Sequence, residues 1–220
     1  MTALSDRFFA NVALMGQRRN TNPDFYLNAW CVESGLNPSA VNPHGGARGL
    51  NQMMPATLQS LGAPANYETL TGEDQLPWIE RLIAGGEALN GGPFESAARY
   101  YHSNFFPRTM SRGASPRTVV VARDAVDADE RAAYAANTGL DTDGDGRITL
   151  ADLASVLDRV RKTKCQNGFA RLARAVAALP PPGRTWSDAQ PAIARRSNNG
   201  PIFGAALAVG AVGLAAWRGR

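Results

Sequence analysis

Apolar positions recur at helical spacing along most of the chain, and Gly or Pro divides them into segments. In residues 1–20, Leu4, Phe8, Val12 and Met15 share one face of a helix. Asn22-Pro23-Asp24 has the form of a helix start, with Pro in the first turn. An apolar run through Phe25, Leu27, Ala29, Trp30 and Val32 carries this second helix to Glu33, where Ser34, Gly35, Asn37 and Pro38 stop it. A short helix is predicted from Pro55 to Leu61, closed by Gly62, and residues 66–75 read as a polar connection. Trp78, Leu82, Ile83 and Leu89 mark another helix, ended by Asn90-Gly91-Gly92-Pro93. Pro93 is expected to open a further one, from Phe94 to Ser103.

The second half is less regular. Residues 107–122 read as a loop leading into a short strand or helix at Thr118-Val119-Val120-Val121. Helices are predicted over 129–136 and over 150–161, the latter with Leu153, Val156, Leu157 and Val160 on one face. A basic amphipathic helix follows over 169–179, stopped by Pro180-Pro181-Pro182-Gly183. Residues 180–201, rich in Pro, Arg, Ser and Asn, read as a linker. Residues 202–217 form an uncharged apolar run closed by Trp217 and followed by Arg218 and Arg220. At about 1.5 Å per residue it falls short of a roughly 30 Å hydrocarbon core. Two readings therefore stand, a membrane segment or anchor and a buried or oligomerising helix whose Gly204, Gly210 and Gly213 permit close packing.

With 220 residues, 44% hydrophobic and 19% charged, the chain is long enough for one good core plus appendages. The net charge of +4 is unevenly spread: from Arg159 onward there are eleven Lys or Arg and one acidic residue, Asp188. A segment so basic suits anionic polymers or lipid, or else a merely solvated surface. Cys31 lies in an apolar helix and reads as a small buried hydrophobe; with Cys165 far away, neither a disulfide framework nor a zinc site is expected. The first twenty residues lack the continuous apolar core and small-residue cleavage site of a secretory signal peptide.

Glu33 is the candidate for chemistry. It stands where a helix gives way to turn formers, at the mouth of a core, and a carboxyl beside Trp30 and Val32 loses hydration. That raises its pKa and keeps it available as a proton donor. Gly45, Gly46 and Gly49 then let backbone approach whatever the carboxyl faces, and Gln52 can both donate and accept hydrogen bonds there.

The spacing around it carries a family resemblance. Glu33-Ser34, Asn37-Pro38, Ala40-Val41 and Gly46-Ala47-x-Gly49-Leu50-x-Gln52-x-Met54-Pro55-x-Thr57 resemble the soluble lytic transglycosylases, lysozyme-like enzymes that cleave peptidoglycan. Two departures are visible: Asn51 stands where an apolar residue is usual, and the loop His44-Gly45-Gly46-Ala47 is one residue longer. Downstream, Ala97-Ala98-Arg99-Tyr100-Tyr101-His102 resembles the family's A-x-x-Y-N box, whose tyrosine orients the catalytic Glu. Two registers fit, through Tyr100 or Tyr101; the second, with His102 at the usual Asn position, is preferred. The resemblance implies Glu33 as the catalytic acid, assisted by Tyr101 or Tyr100, with Ser34, Asn42, Gly49, Gln52, Met54 and His102 against the sugar.

A second motif is independent of the first. Asp141, Asp143 and Asp145, Gly146 at position six, the carbonyl of Arg147, Ile148 at eight and Asp152 at twelve have the spacing of an EF-hand-like calcium loop. Oxygens must converge from a tight turn to hold a hard cation, and Gly146 permits that turn. Asp in place of Glu at position twelve shortens the reach, and a single hand favours a structural ion over a sensor.

Together these features predict a mainly α protein. A lysozyme-like transglycosylase domain (1–120) precedes an EF-hand-like module (121–165), a basic helix and Pro-rich linker (166–201) and an apolar C-terminal helix (202–217). By resemblance, the enzyme would cleave the bond between N-acetylmuramic acid and N-acetylglucosamine, forming a 1,6-anhydro product without a catalytic cofactor. Hydrolysis of the same bond, and a non-catalytic wall-binding or virion protein keeping the fold, are the alternatives. The implied partners are peptidoglycan strands, with membrane or virion proteins at the apolar tail; nucleic acid is not expected. The implied setting is a phage virion or the host cell envelope, with a bacterial secretion accessory as the alternative.

Overall fold

The computed structural model describes residues 4–180. The linker residues 181–201, the apolar run 202–217 and the final arginines lie outside them. No described helix is long and apolar enough to cross a membrane.

Eight α-helices carry the fold among the described residues: α1 (Asp6–Arg18), α2 (Pro23–Ser34), α3 (Pro55–Ser60), α4 (Gly72–Asn90), α5 (Ala97–Phe105), α6 (Ala128–Ala136), α7 (Leu150–Thr163) and α8 (Gln166–Ala177). A two-stranded antiparallel sheet pairs β1 (Val119–Ala122) with β2 (Arg147–Thr149), Val121 opposite Ile148, with an irregularity between Val119 and Val121.

The helix ends follow local chemistry. Ser5 caps α1 through the amide of Phe8, and Asn22 caps α2 through Asp24, ahead of Pro23. Gly35, at φ +63°, ends α2 in a left-handed turn, its N–H returning to the Cys31 carbonyl while that of Leu36 reaches Trp30. Helix α5 begins later than Pro93 suggests. Asn90 holds the Gly92 and Pro93 carbonyls in a turn, and Ser96 supplies the cap by accepting from Arg99.

Helix α2 is the centre of the core. Tyr26, Leu27, Ala29 and Trp30 are wholly buried, with α1, α5, α7 and α8 packed around them. At about 25 cal/mol per Å² of apolar surface removed from water, each large side chain of this kind contributes about 1.5–3 kcal/mol. Residues beyond 120 complete the same core: Leu153, Val156 and Leu157 of α7 face it, and α8 lies along α1.

Two local expectations are corrected. Residues 66–75 are not a mere polar connection: Tyr67–Thr69 form a 3-10 turn, α4 starts at Gly72, and Tyr67 and Gln75 are fully buried. Gln75 tolerates burial because its amide donates to the Pro38, Tyr67 and Leu70 carbonyls while its oxygen accepts from the Leu50 N–H. Cys31 is not a free thiol. It is bonded to Cys165, whose left-handed conformation (φ +53°) turns the chain from α7 into α8 and back onto α2. That long-range return has no local sequence signal.

Candidate active site

Glu33 occupies the last turn of α2, partly accessible to solvent. Its carboxyl is pushed up to about 7, chiefly because protein replaces the water around it, against the opposing effect of a hydrogen bond from the Tyr101 hydroxyl. The negative end of the helix dipole acts in the same direction as desolvation, since an anion there is disfavoured. Tyr101, almost wholly buried, is itself raised well above its usual value by burial and by the facing carboxylate. A carboxyl that is half protonated near neutrality can both give and take a proton at working pH.

The tyrosine next in sequence has a different set of partners. Tyr100 receives a hydrogen bond from Trp30 Nε1 (3.1 Å) and donates to Asn51 Oδ1 (3.2 Å). Asn104, one helical turn after Tyr100, donates to the same Asn51 oxygen (3.2 Å). Tyr100 also feels the Glu33 charge, and burial holds its hydroxyl far above the ordinary range.

The loop between α2 and α3 is held by its own polar groups. Ser34 Oγ reaches the Leu50 carbonyl (2.9 Å), tying the end of α2 to the loop. Asn42 Oδ1 accepts from the His44 N–H, turning the glycine-rich segment. Gln52, at φ +43°, donates its amide to the Ala40 and Gly49 carbonyls. Gly49 is required where it stands: φ is +76°, and a Cβ would lie 2.5 Å from Tyr67 and 2.6 Å from Gln75. Met54 is half-buried and lies near Gly45, on the accessible side of the loop. His102 points elsewhere. It is fully buried, Nδ1 facing Arg99 (3.2 Å) and Nε2 facing Thr109 (2.9 Å), and burial beside two arginines pushes it down to about 3.

Residues 11–78 match the family model of the transglycosylase SLT domain. The match covers α2, Glu33 and the glycine-rich loop, and supports the resemblance carried by the motif. It ends before α5, so Tyr100, Tyr101 and Asn104 are joined to the transglycosylase SLT region by the fold alone. No curated protein and no solved structure matches the chain.

Sequence reasoning passed over Asn104 and Gln75. The spacing of Asn104 four residues after Tyr100 on one helix was the available signal.

The acidic loop runs directly into β2. Carboxylate oxygens of Asp141, Asp143 and Asp145 come within 4.8 Å of one another. Asp141 also accepts from the Gly144 and Gly146 N–H groups and from the Tyr134 hydroxyl. Arg147 is exposed, in β2. Asp152 is engaged differently: one oxygen accepts from the backbone and hydroxyl of Thr142, the other from those of Thr149, closing a capping box at the start of α7.

Proposed function

We propose that this protein is a peptidoglycan lytic transglycosylase acting on the bond between N-acetylmuramic acid and N-acetylglucosamine. The observation that carries the reading is the Glu33 carboxyl at the end of α2, pushed up to about 7 and held by Tyr101, within a segment matching the transglycosylase SLT domain. Protonated Glu33 donates to the glycosidic oxygen as the bond breaks. The resulting carboxylate then takes the proton of the sugar's own 6-hydroxyl as that oxygen attacks the anomeric carbon, closing the 1,6-anhydro ring. One carboxyl does both steps, unlike the paired carboxylates of most glycosidases. The loop of Asn42, Gly49, Gln52 and Met54 forms the floor on which the glycan lies, with Ser34 fixing its position.

The setting proposed is a phage virion or the host cell envelope. The Cys31–Cys165 disulfide supports it, because such bonds persist in oxidising compartments. The apolar run 202–217 is assigned the contact with a membrane or a virion protein. Calcium is proposed as a structural ion held by Asp141, Asp143 and Asp145 with the Arg147 carbonyl, where three converging carboxylates suit a hard cation. Asp152 contributes by holding the loop to α7.

A zymogram on purified peptidoglycan, with native protein beside Glu33→Gln, tests the activity. A clearing band from the native protein alone is expected; none from either would end this reading.

A further inference from the structure

Four residues other than glycine hold a positive φ among the described residues: Asn20, Leu36, Gln52 and Cys165. Two of them, Leu36 (+63°) and Cys165 (+53°), belong to the junction of α2 with α8. Asparagine tolerates that region, but leucine is crowded there, its Cβ too near the carbonyl that follows. Leu36 stands three residues after Glu33, where the chain leaves α2 for the glycine-rich loop. Backbone strain of this kind persists only where neighbouring structure holds it.

What holds Leu36 is α8. A Cβ at Gly168 would stand 2.7 Å from Leu36 Cδ1, 3.7 Å from Phe9 and 3.8 Å from Leu27, so only glycine lets α8 come this near. The N–H groups of Gly35 and Leu36 return to the Cys31 and Trp30 carbonyls, which ties the bend into the last turn of α2. The first turn of α8 has little else to keep it in place. Cys165 supplies no side-chain cap, and only Gly168 and Leu172 of the helix are buried. Its other fastenings come after Gly168: Phe169 lies under Arg161, and Arg171 reaches Asp6 and the Leu4 carbonyl. The disulfide is therefore the anchor of that first turn, and it holds at Cys31, two residues before Glu33.

We infer that the Cys31–Cys165 bond is a redox latch: oxidised, it presses α8 onto Leu36 and fixes the end of α2; reduced, it frees that end. The opening reaction is exchange with a dithiol, the reductant class of reducing compartments. A thiolate of the dithiol attacks the sulfur of Cys165, which is half-buried where Cys31 is buried. Cys31 leaves with the electron pair and takes a proton. The second thiol of the dithiol, as its thiolate, then closes the dithiol's own disulfide and releases Cys165, which is protonated in turn. Lysis by the proposed reaction is thereby confined to oxidising surroundings. That control rests on Glu33 being the working acid, and the test therefore reads the bend apart from lysis.

The experiment is amide hydrogen exchange on the full chain, oxidised and after excess dithiothreitol, with wall lysis measured on the same samples. Reduction should speed exchange at Gly35 and Leu36 by at least about tenfold and leave the buried Ile79 and Ile83 of α4 protected. Lysis should fall with the first change and return on reoxidation. Leu36→Gly adopts the same φ without strain, so reduction should alter neither exchange at its bend nor its lysis. Gly168→Ala pushes α8 off Leu36 with the bond intact, and should speed exchange at Leu36 without reductant. Unchanged exchange at the bend in reduced native protein or in Gly168→Ala would overturn the latch. So would unchanged lysis beside faster exchange, or loss of protection throughout the fold on reduction. Faster exchange at the bend with no lysis in either state would uphold the latch and end the proposed reaction.

Discussion

Cys31 and Cys165, 134 residues apart in the chain, are bonded to each other, and this fixes the start of α8 to α2 two residues before Glu33. The C-terminal third of the described fold is thereby fastened to the helix that carries Glu33.

Breaking that bond should destabilise the protein. A loop of this length gives a chain-entropy contribution of up to about 5 kcal/mol, and measured values for single disulfides run nearer 2–4 kcal/mol. Thermal unfolding with and without a phosphine reductant checks it. The melting temperature should drop on reduction, and Cys165→Ser should melt at the lower temperature whether reductant is present or not. Equal melting of oxidised and reduced native protein would show that α8 is held by packing alone.

The raised Glu33 carboxyl has a stability signature of its own. Its folded pKa, about 7, lies above the ordinary value of 4.5, so between these pH values the folded state binds the proton that the unfolded state has released. Stability from this group is therefore full below about pH 4.5 and lost as pH rises through 7. Glu33→Gln, neutral at all pH, should be more stable than native protein at pH 8 by on the order of 1–3 kcal/mol. The difference should vanish towards pH 4.5. Denaturant midpoints at the two pH values provide the comparison.

His102 acts at the other end of the scale. Its folded pKa, about 3, is below the usual 6.5, so the unfolded chain takes up a proton first as pH falls. Stability is full above 6.5 and declines towards 3, by at most about 1.4 kcal/mol for each pH unit. His102→Asn should lose some stability at pH 7 and show a flatter decline between pH 6.5 and 4.5. A decline as steep as the native one would place the acid sensitivity elsewhere.

Calcium at a hundred times its dissociation constant should add about 2.7 kcal/mol. The check is the melting temperature in chelator against millimolar calcium, with Asp141→Asn and Asp143→Asn beside native protein. The native protein alone should respond, and an unchanged native melting temperature would remove the ion from the account.

Much of the helical frame was legible because helix signals are local. Capping at Asn22-Pro23, the stop at Gly35 and the one-sided pattern of α7 each depend on a few neighbouring residues. Glu33 was legible as a candidate for the same reason, since the residues that mark it, from Glu33 to Thr57, form one local motif with only Asn51 and the longer loop as departures. What the chain concealed depends on distant partners. Gln75 looks like surface until Pro38, Leu50, Tyr67 and Leu70 are brought around it, and Cys165 looks unpaired until α8 folds back. His102 illustrates how a single helical step matters. Next to Tyr101 in sequence, it faces the interior, towards Arg99 and Thr109, while Tyr101 faces Glu33.

In the proposed reaction, Glu33 cleaves the glycan by proton transfer and lets the sugar close on itself. Mass spectrometry of a peptidoglycan digest, native protein beside Glu33→Gln, tests it most directly. Native protein should release anhydro-muropeptides, lighter by one water than hydrolysis products. Glu33→Gln should release them at least about 10²–10⁴ times more slowly, the range of general acid catalysis. Reducing-end products alone would make the enzyme a lysozyme, and a Glu33→Gln variant that digests the wall as fast as native protein would contradict the account at its centre.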